Sequence, residues 1–240
     1  MTIEIIAEIG ISHEGDMILA RELIDAAKEA GVKTAKFQLY DVDASFPDKK
    51  IIAQNRNWYE EVKKIQLSRR QAETLARYCD HIGIEFLASA ADLERLSWLE
   101  EFEVKRHKVG SSMNKNKELI DAMANTGKEI LLSCQRRSDA YIPSDKNIKV
   151  LYCIPMYPTP LDKFEFSRIG FPYEFQGFSD HTQGIEASVI AMARGAKIIE
   201  KHFCLKRDNS NPDMVCSIEP DELKRLVEFA RKVEEVLYGT

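Results

Sequence analysis

Short apolar runs alternate along the chain with longer segments in which apolar residues recur at helical spacing. Strand-like runs fall at residues 3–9, 34–40, 85–88, 106–109, 129–133, 150–153, 176–179 and 197–202. Helical periodicity falls at residues 17–30, 68–81, 93–101, 117–126, 184–194 and 219–236. Eight strands that alternate with helices predict an α/β protein, a (β/α)8 TIM barrel that forms a single domain over residues 1–240.

Two connections depart from the regular alternation. A long insertion at 41–66 follows the second strand, and its segment 55–64 predicts a short additional helix. The connection at 134–149 contains Pro143 and few periodic apolar residues, so its helix is expected to be short or absent. We find no linker, low-complexity tract or repeat that would divide the chain, which favours one domain.

Polar residues interrupt strands that should be buried. In the second strand, TAKFQLY, Lys36 and Gln38 share one face and apolar residues occupy the other. In a barrel, the apolar face packs against the helices, so Lys36 and Gln38 are predicted to point into the lumen near the catalytic end. The alternative is an edge strand with one solvated face.

Two histidines stand at the ends of neighbouring strands. In IIEKHF, Glu200 and His202 project to the same side, and the preceding strand segment, GFSDH, ends with Ser179, Asp180 and His181. Because adjacent strands are about 4.8 Å apart, the two imidazoles could converge on one cation. The alternatives are that each histidine is an ordinary hydrogen-bonded residue, or that His181 begins a helix.

A second group of residues suits an anion. Lys108 lies on a strand in HKVGSSMN and is followed by the small-residue turn at 110–112. Together with Lys36 and hydroxyl groups at several strand ends, it predicts a phosphate pocket. Glu14 follows the first strand in His13-Glu14-Gly15, where it could position a water molecule, or where it merely favours a helix dipole.

Composition narrows the classes of function. The formal net charge of −5 and the pI near 5.7 disfavour nucleic-acid and membrane partners. The amino terminus lacks a basic region followed by a long apolar run, which predicts a cytoplasmic protein. The five cysteines never form a C-x-x-C pair, so a disulfide scaffold or structural zinc site is not expected. Most of these thiols are interpreted as inert core residues.

Several stretches in order carry a more specific signal. They are AEIGISHEGD, AKFQ, KVGS, YPTP, GFSDHTQGIEAS, IEKHF and NPDMVCSIEPDEL. With them the chain resembles, over almost its whole length, the sialic acid synthase family, the N-acetylneuraminate synthases and their relatives. Members of this family condense phosphoenolpyruvate with N-acetylmannosamine or a related sugar, giving a nonulosonic acid and phosphate. The resemblance also implies a TIM barrel.

The resemblance implies roles for individual residues. His181 and His202 would hold a divalent metal, typically Mn²⁺ with Mg²⁺ or Co²⁺ as alternatives, and Glu14 would lie near it. The positions implied to bind phosphoenolpyruvate are Lys36, Ser89, Lys108, Ser111, Ser133 and Ser179. The positions implied around the sugar or the metal are Gln38, Tyr157, Glu200 and Asp213. The implied catalytic set is Glu14, Lys36, Lys108, His181 and His202.

The chain also departs from the family pattern. Residues 133–136 read SCQR where serine-threonine-glycine-methionine is usual, Pro155 replaces an asparagine, and Met113 replaces an acidic residue. The sequence stops after the eighth helix, whereas typical members continue into a small antifreeze-like domain. We therefore expect the sugar site to be completed by a second copy of the chain in a homodimer, by a separate protein that supplies a lid, or by the 41–66 insertion. The Arg136-Arg137 pair is a further candidate source of positive charge.

Two alternatives to this function stay open. One is another metal-dependent carbon–carbon lyase or synthase on the same barrel. The other is a sugar-binding or regulatory homologue without catalytic activity.

Overall fold

The barrel is closed by eight parallel strands in a computed structural model that describes residues 2–144, 146–208 and 210–239. The strands are β1 Glu4–Gly10, β2 Thr34–Leu39, β3 Glu85–Ala90, β4 Arg106–Val109, β5 Glu129–Cys134, β6 Ile148–Tyr152, β7 Gly177–Asp180 and β8 Ile198–His202. Each strand pairs with its neighbours in sequence, and β8 pairs with β1. The predicted (β/α)8 fold is confirmed.

Most helices cover the outside of the barrel, and two lie in the long insertion at its catalytic end. The helices are α1 Met17–Glu29, α2 Val42–Ser45, α3 Tyr59–Ile65, α4 Arg69–Ile82, α5 Leu93–Glu101, α6 Lys117–Asn125, α7 Glu186–Ala193 and α8 Pro220–Tyr238. Among the described residues of the β5–β6 connection, the 3₁₀ turn Arg137–Asp139 is the only helical element, as the proline and weak periodicity predict. The β6–β7 connection holds two such turns, Leu161–Lys163 and Phe166–Arg168.

Local sequence explains where the helices begin and end. Asp16 caps α1 by accepting hydrogen bonds from the backbone amides of Ile18 and Leu19. Ser68 and Gln71 form a capping box at the start of α4. The same helix ends at Gly83, whose φ of 75° lies in the left-handed region that glycine adopts at little energetic cost.

Strand alternation creates two separate apolar regions. The outer core lies between the strands and the helices and includes Ala35, Phe37 and Leu39, the face of β2 predicted to meet the helices. The inner cluster lies within the barrel and consists of Ile6, Leu87, Leu131, Leu151 and Ile198. Glu8, Ser89, Ser133 and Glu200 each follow one of these inner residues by two positions, so the inner cluster forms a floor beneath a polar layer.

A cluster of charged side chains fills the opposite end of the barrel. Arg106 on β4 is buried and donates hydrogen bonds to Glu85, Glu4 and the Thr34 hydroxyl. Because several acceptors surround the guanidinium, its charge is compensated where water is excluded. This cluster lies at the amino-terminal ends of the strands, away from the polar layer.

The 41–66 insertion folds against the catalytic end. Besides α2 and α3, it contains the two short antiparallel strands Ile52–Ala53 and Arg56–Asn57. The predicted helix at 55–64 corresponds to α3, whereas α2 and the strand pair were not predicted. Gln54 donates a hydrogen bond to the carbonyl oxygen of Pro212 at 3.2 Å, which ties the insertion to the β8–α8 connection. In the described part of the chain, no helix has the length and apolar character required to span a membrane.

Candidate active site

A cavity of about 570 Å³ opens at the carboxyl ends of the barrel strands. All but one of the residues predicted for the site line it: Lys36, Gln38, Ser89, Lys108, Ser111, Ser133, Tyr157, Ser179, His181, Glu200, His202 and Asp213. They come from seven different strands or the segments that follow them. Enzymes with this fold carry their catalytic residues at this end.

The structure does not bring Glu14 into the cavity. Glu14 is exposed, its φ of 51° lies in the left-handed region, and its carboxylate accepts a hydrogen bond from the Ser210 hydroxyl. The tight turn after β1 therefore directs this side chain away from the cavity. The carboxylate that β1 contributes is that of Glu8, which lines the cavity.

Two buried carboxylates and two buried lysines form the base of the site. Lys36 Nζ lies 2.5 Å from Glu8 Oε2 and 3.7 Å from Glu200 Oε2. Lys108 Nζ lies 3.7 Å from Glu200 Oε1, which also accepts a hydrogen bond from Ser179 Oγ at 2.8 Å. Glu200 therefore links both lysines, and this explains why the charged residues at the end of β8 can be buried.

The two lysines differ in their partners. Lys36 is held by the carboxylates of Glu8 and Glu200, whereas Lys108 donates to neutral oxygens, Ser133 Oγ at 2.8 Å and the Val109 carbonyl at 2.9 Å. Both are almost fully buried. Lys108 therefore has the less compensated charge and is the better placed of the two to attract an anion.

Burial and mutual attraction determine the ionisation of this cluster. Burial opposes charge on Lys36, but Glu200 and Glu8 outweigh it, so the pKa of Lys36 is raised. Burial lowers the pKa of Lys108, although Glu200 opposes that shift. For Glu200, burial favours the neutral form, but Lys108 and Lys36 outweigh it and lower its pKa. The ion pairs involving Glu200 are thus favoured at neutral pH.

His181 and His202 face each other across the same cavity. Their ring centroids are 5.4 Å apart, and both rings are almost fully buried. Burial lowers the pKa of His181 to about 4 and that of His202 well below its ordinary value, so both imidazoles are neutral at pH 7. Neutral imidazole is the form that binds metals.

The imidazole contacts fit a divalent metal. His181 Nδ1 lies 3.0 Å from the carbonyl oxygen of Ile154, which can only accept, so Nδ1 carries the proton and Nε2 keeps its lone pair. His202 Nδ1 is buried and has no hydrogen-bond partner among the described residues. Imidazole nitrogens bind first-row metals at about 2.1 Å, so two rings that share one ion have centroids roughly 5 Å apart.

Two further side chains, Asp213 and Tyr157, lie beside the histidine pair. In the part of the chain that the structure describes, no three His, Cys, Asp or Glu side chains form a metal-binding cluster. Asp213 Oδ2 is 3.6 Å from His202 Nδ1, and burial raises the pKa of Asp213 to about 7. Tyr157 packs on His181 with ring centroids 4.1 Å apart.

Several lining residues were not predicted from the sequence. Cys153 is one of the five cysteines, most of which the sequence indicates to be core residues. It is a free thiol that lines the cavity, and burial raises its pKa to about 12. Met113, at a position where the family pattern expects an acidic residue, also lines it. The 41–66 insertion, one of the candidates to complete the sugar site, contributes a largely apolar wall, which we call the insertion wall: Ala44, Ser45, Phe46, Ile51 and Val62. Arg137, in contrast, is exposed and donates to the carbonyl oxygen of Glu174.

Comparison with known proteins places this site in a family. The model of the NeuB family matches residues 23–240. The chain belongs to the NeuB family. This match, together with the relatives described next, confirms the predicted membership of the sialic acid synthase family and the prediction of an enzyme.

Several relatives of this NeuB family member are named as synthases of sugar acids. The chain is 33% identical to the N-acetylneuraminate-9-phosphate synthase of Homo sapiens over 97% of its length and 70% of the relative. It is 31% identical to the N,N'-diacetyllegionaminic acid synthase of Campylobacter jejuni over 97% of its length and 77% of the relative. A crystal structure of the sialic acid synthetase of Leptospira borgpetersenii superposes with a TM-score of 0.87 at 29% identity, covering 99% of this chain and 86% of that one.

Proposed function

We propose that this protein is a metal-dependent synthase that joins phosphoenolpyruvate to an N-acylated aldose such as N-acetylmannosamine. The products are a nonulosonic acid and inorganic phosphate. The observation that carries the proposal is that two buried lysines and two neutral histidines line one cavity. The lysines suit a donor with two anionic groups, and the histidines suit a cation beside an aldehyde.

The lysines would bind the donor. Phosphoenolpyruvate carries a carboxylate and a phosphate, and Lys36 and Lys108 supply two cations at the base of the cavity. Glu200 holds both ammonium groups within 3.7 Å of its carboxylate, which fixes their separation before the donor binds. The hydroxyl groups of Ser89 and Ser111 line the same region and can donate further hydrogen bonds.

The histidines would hold a divalent cation, with manganese as the first candidate. When bound, the cation supplies Lewis acidity that polarises the aldehyde carbonyl of the acceptor. The reaction then forms one carbon–carbon bond from the enol carbon of the donor to the aldehyde carbon. Water adds to the adjacent carbon, and the carbon–oxygen bond to phosphate breaks, which leaves a ketone.

The lining of the cavity favours an acceptor without phosphate. Among the described residues that line it, the only lysine or arginine side chains are Lys36 and Lys108, and the donor engages both. The insertion wall is largely apolar, and Asp92 on the neighbouring connection is acidic. A sugar phosphate would bring a dianion to this surface, whereas an acetamido methyl group suits it.

An aldose panel tests this function. Phosphate release from phosphoenolpyruvate is measured with N-acetylmannosamine, its 6-phosphate and mannose, each with and without Mn²⁺. We expect release that requires both an aldose and the metal, and a lower KM for N-acetylmannosamine than for its phosphate. The synthase assignment would be rejected if phosphate were released without any aldose, or if no aldose of the panel led to phosphate release.

The metal site has its own test. The variant His181→Ala with His202→Ala should lose manganese by elemental analysis, because it removes both imidazole ligands of the proposed site. His81→Ala is the matched control, since this histidine lies exposed at the end of α4. Wild-type manganese content in a folded double variant would refute the metal site while leaving the donor site standing.

A further inference from the structure

Behind the two histidines lies a second buried ion pair that the proposed reaction does not use. Asp180 and Lys201 are both fully buried, with Lys201 Nζ 3.3 Å from Asp180 Oδ2. They are register partners on β7 and β8 and point to the outer side of the barrel, opposite to Ser179 and Glu200. Their charges are therefore separated from the cavity by the barrel wall.

The hydrogen bonds of this pair all end on one short segment or on its supporting helix. Asp180 Oδ1 accepts from the backbone amide of Thr182 at 2.7 Å, and Oδ2 accepts from Ser188 Oγ on α7 at 2.6 Å. Lys201 Nζ donates to the carbonyl oxygen of Thr182 at 2.5 Å. Thr182 is thus held at both its amide and its carbonyl, directly after His181.

Asp180 and Lys201 each directly precede one of the two histidines in the sequence. His181 follows Asp180, and His202 follows Lys201. The His181 carbonyl accepts from the Thr159 amide at 2.8 Å, and the His202 carbonyl accepts from the Ile218 amide at 2.8 Å. With the backbone held on both sides, the ion pair connects the points from which the two imidazoles project.

We propose that Asp180 and Lys201 are positioning residues that fix the spacing of the His181 and His202 imidazoles for a shared divalent cation. Stability alone does not require an ion pair at these two positions, because replacing a buried ion pair by apolar residues is often neutral or stabilising. The pair instead fixes one relative position of two strand ends, which an apolar contact specifies less sharply. This inference rests on the metal site of the proposed function.

Manganese binding measured by isothermal titration calorimetry tests the inference. Lys201→Met removes the link to Thr182 and should weaken manganese binding about 10- to 100-fold, the range typical of residues that orient metal ligands. The double variant Asp180→Asn with Lys201→Gln restores polar contacts without charge and should recover most of the affinity. Circular dichroism at the titration temperature verifies that each variant is folded.

A matched control separates positioning from general destabilisation. Arg106→Met breaks a buried charge cluster at the other end of the barrel, so it should lower stability without changing manganese affinity. If Lys201→Met does not fold, Ser188→Ala replaces it. This variant removes one hydrogen bond to Asp180 and should weaken manganese binding by at least about threefold. That is less than the roughly tenfold loss expected when an orienting residue is removed completely. Wild-type affinity in the folded variant, or an equal loss in Arg106→Met, overturns the inference.

Failure of the metal site itself gives a different result. If the wild-type chain does not bind manganese, the metal proposal fails, and the ring positions are then compared directly. Crystal structures of the wild type and of Lys201→Met, or of Ser188→Ala in its place, would be expected to differ in the His181–His202 centroid distance, 5.4 Å here. An unchanged distance would refute the positioning role independently of any metal.

Discussion

Lys108→Met tests the donor site through a single cation. Its ammonium group is buried, donates to Ser133 Oγ and the Val109 carbonyl, and is 3.7 Å from Glu200. Methionine keeps a similar length and volume but removes the charge and all three donors. The substitution therefore separates loss of charge from loss of packing.

The expected magnitude follows from the strength of charged hydrogen bonds. A hydrogen bond to a charged group contributes about 1.5–3 kcal/mol, and about 1.4 kcal/mol corresponds to a tenfold change in Kd. Losing one such contact to phosphoenolpyruvate should thus weaken binding roughly 10- to 150-fold. The buried setting favours the upper part of this range, because water cannot replace the lost ammonium group readily.

Calorimetric titration with phosphoenolpyruvate measures the effect directly. Lys149→Met is the matched control, since Lys149 is 42% exposed and pairs with Glu129 outside the cavity. It should bind phosphoenolpyruvate like the wild type. A folded Lys108→Met protein whose Kd stays within about twofold of the wild type would remove Lys108 from the donor site.

Two further predictions concern stability, measured by urea unfolding. Glu8→Leu should lower the free energy of unfolding by about 3–5 kcal/mol, because it leaves Lys36 buried beside a more distant carboxylate. The control is Glu61→Leu, since the side chain of its partner Arg56 is exposed. Equal losses in the two variants would contradict this expectation. Burial lowers the pKa of His13 to about 4 in the folded protein. The unfolded state therefore binds more protons below pH 6.5 than the folded state does. The free energy of unfolding of the wild type, relative to that of His13→Asn, should fall by about 3 kcal/mol between pH 6.5 and 4. A pH-independent difference would show that His13 does not titrate with unfolding.

Strand periodicity carried most of what the sequence could predict. The two-residue repeat of a strand fixes which side chains share a face, and this was enough to assign Lys36 and Gln38 to the lumen and His202 to the cavity. The same repeat links Glu4, Ile6 and Glu8 on β1, so Glu8 could have been found by the reasoning applied to β2. The isoleucines and alanine of this segment give it the pattern of an apolar run, which obscures the position of Glu8.

Other features depend on contacts that the sequence does not display. Gln54 reaches Pro212 across more than half of the chain. The insertion is one of the segments expected to complete the sugar site, but nothing in its local pattern indicates which of its residues line the cavity. Glu14 turns away because its backbone adopts a left-handed conformation that non-glycine residues rarely take. Cys153 follows the apolar strand β6, and its position at the cavity depends on the closure of the barrel.

The most direct test of the proposed synthase follows the donor carbons into product. The chain is incubated with Mn²⁺, N-acetylmannosamine and phosphoenolpyruvate labelled with ¹³C at all its carbons, and the products are analysed by mass spectrometry. The account predicts a nonulosonic acid that contains all the labelled carbons, formed with an equal amount of phosphate and absent when Lys108→Met replaces the wild type at low donor concentration. Label that remains in phosphoenolpyruvate, or that appears only as pyruvate, would contradict the account.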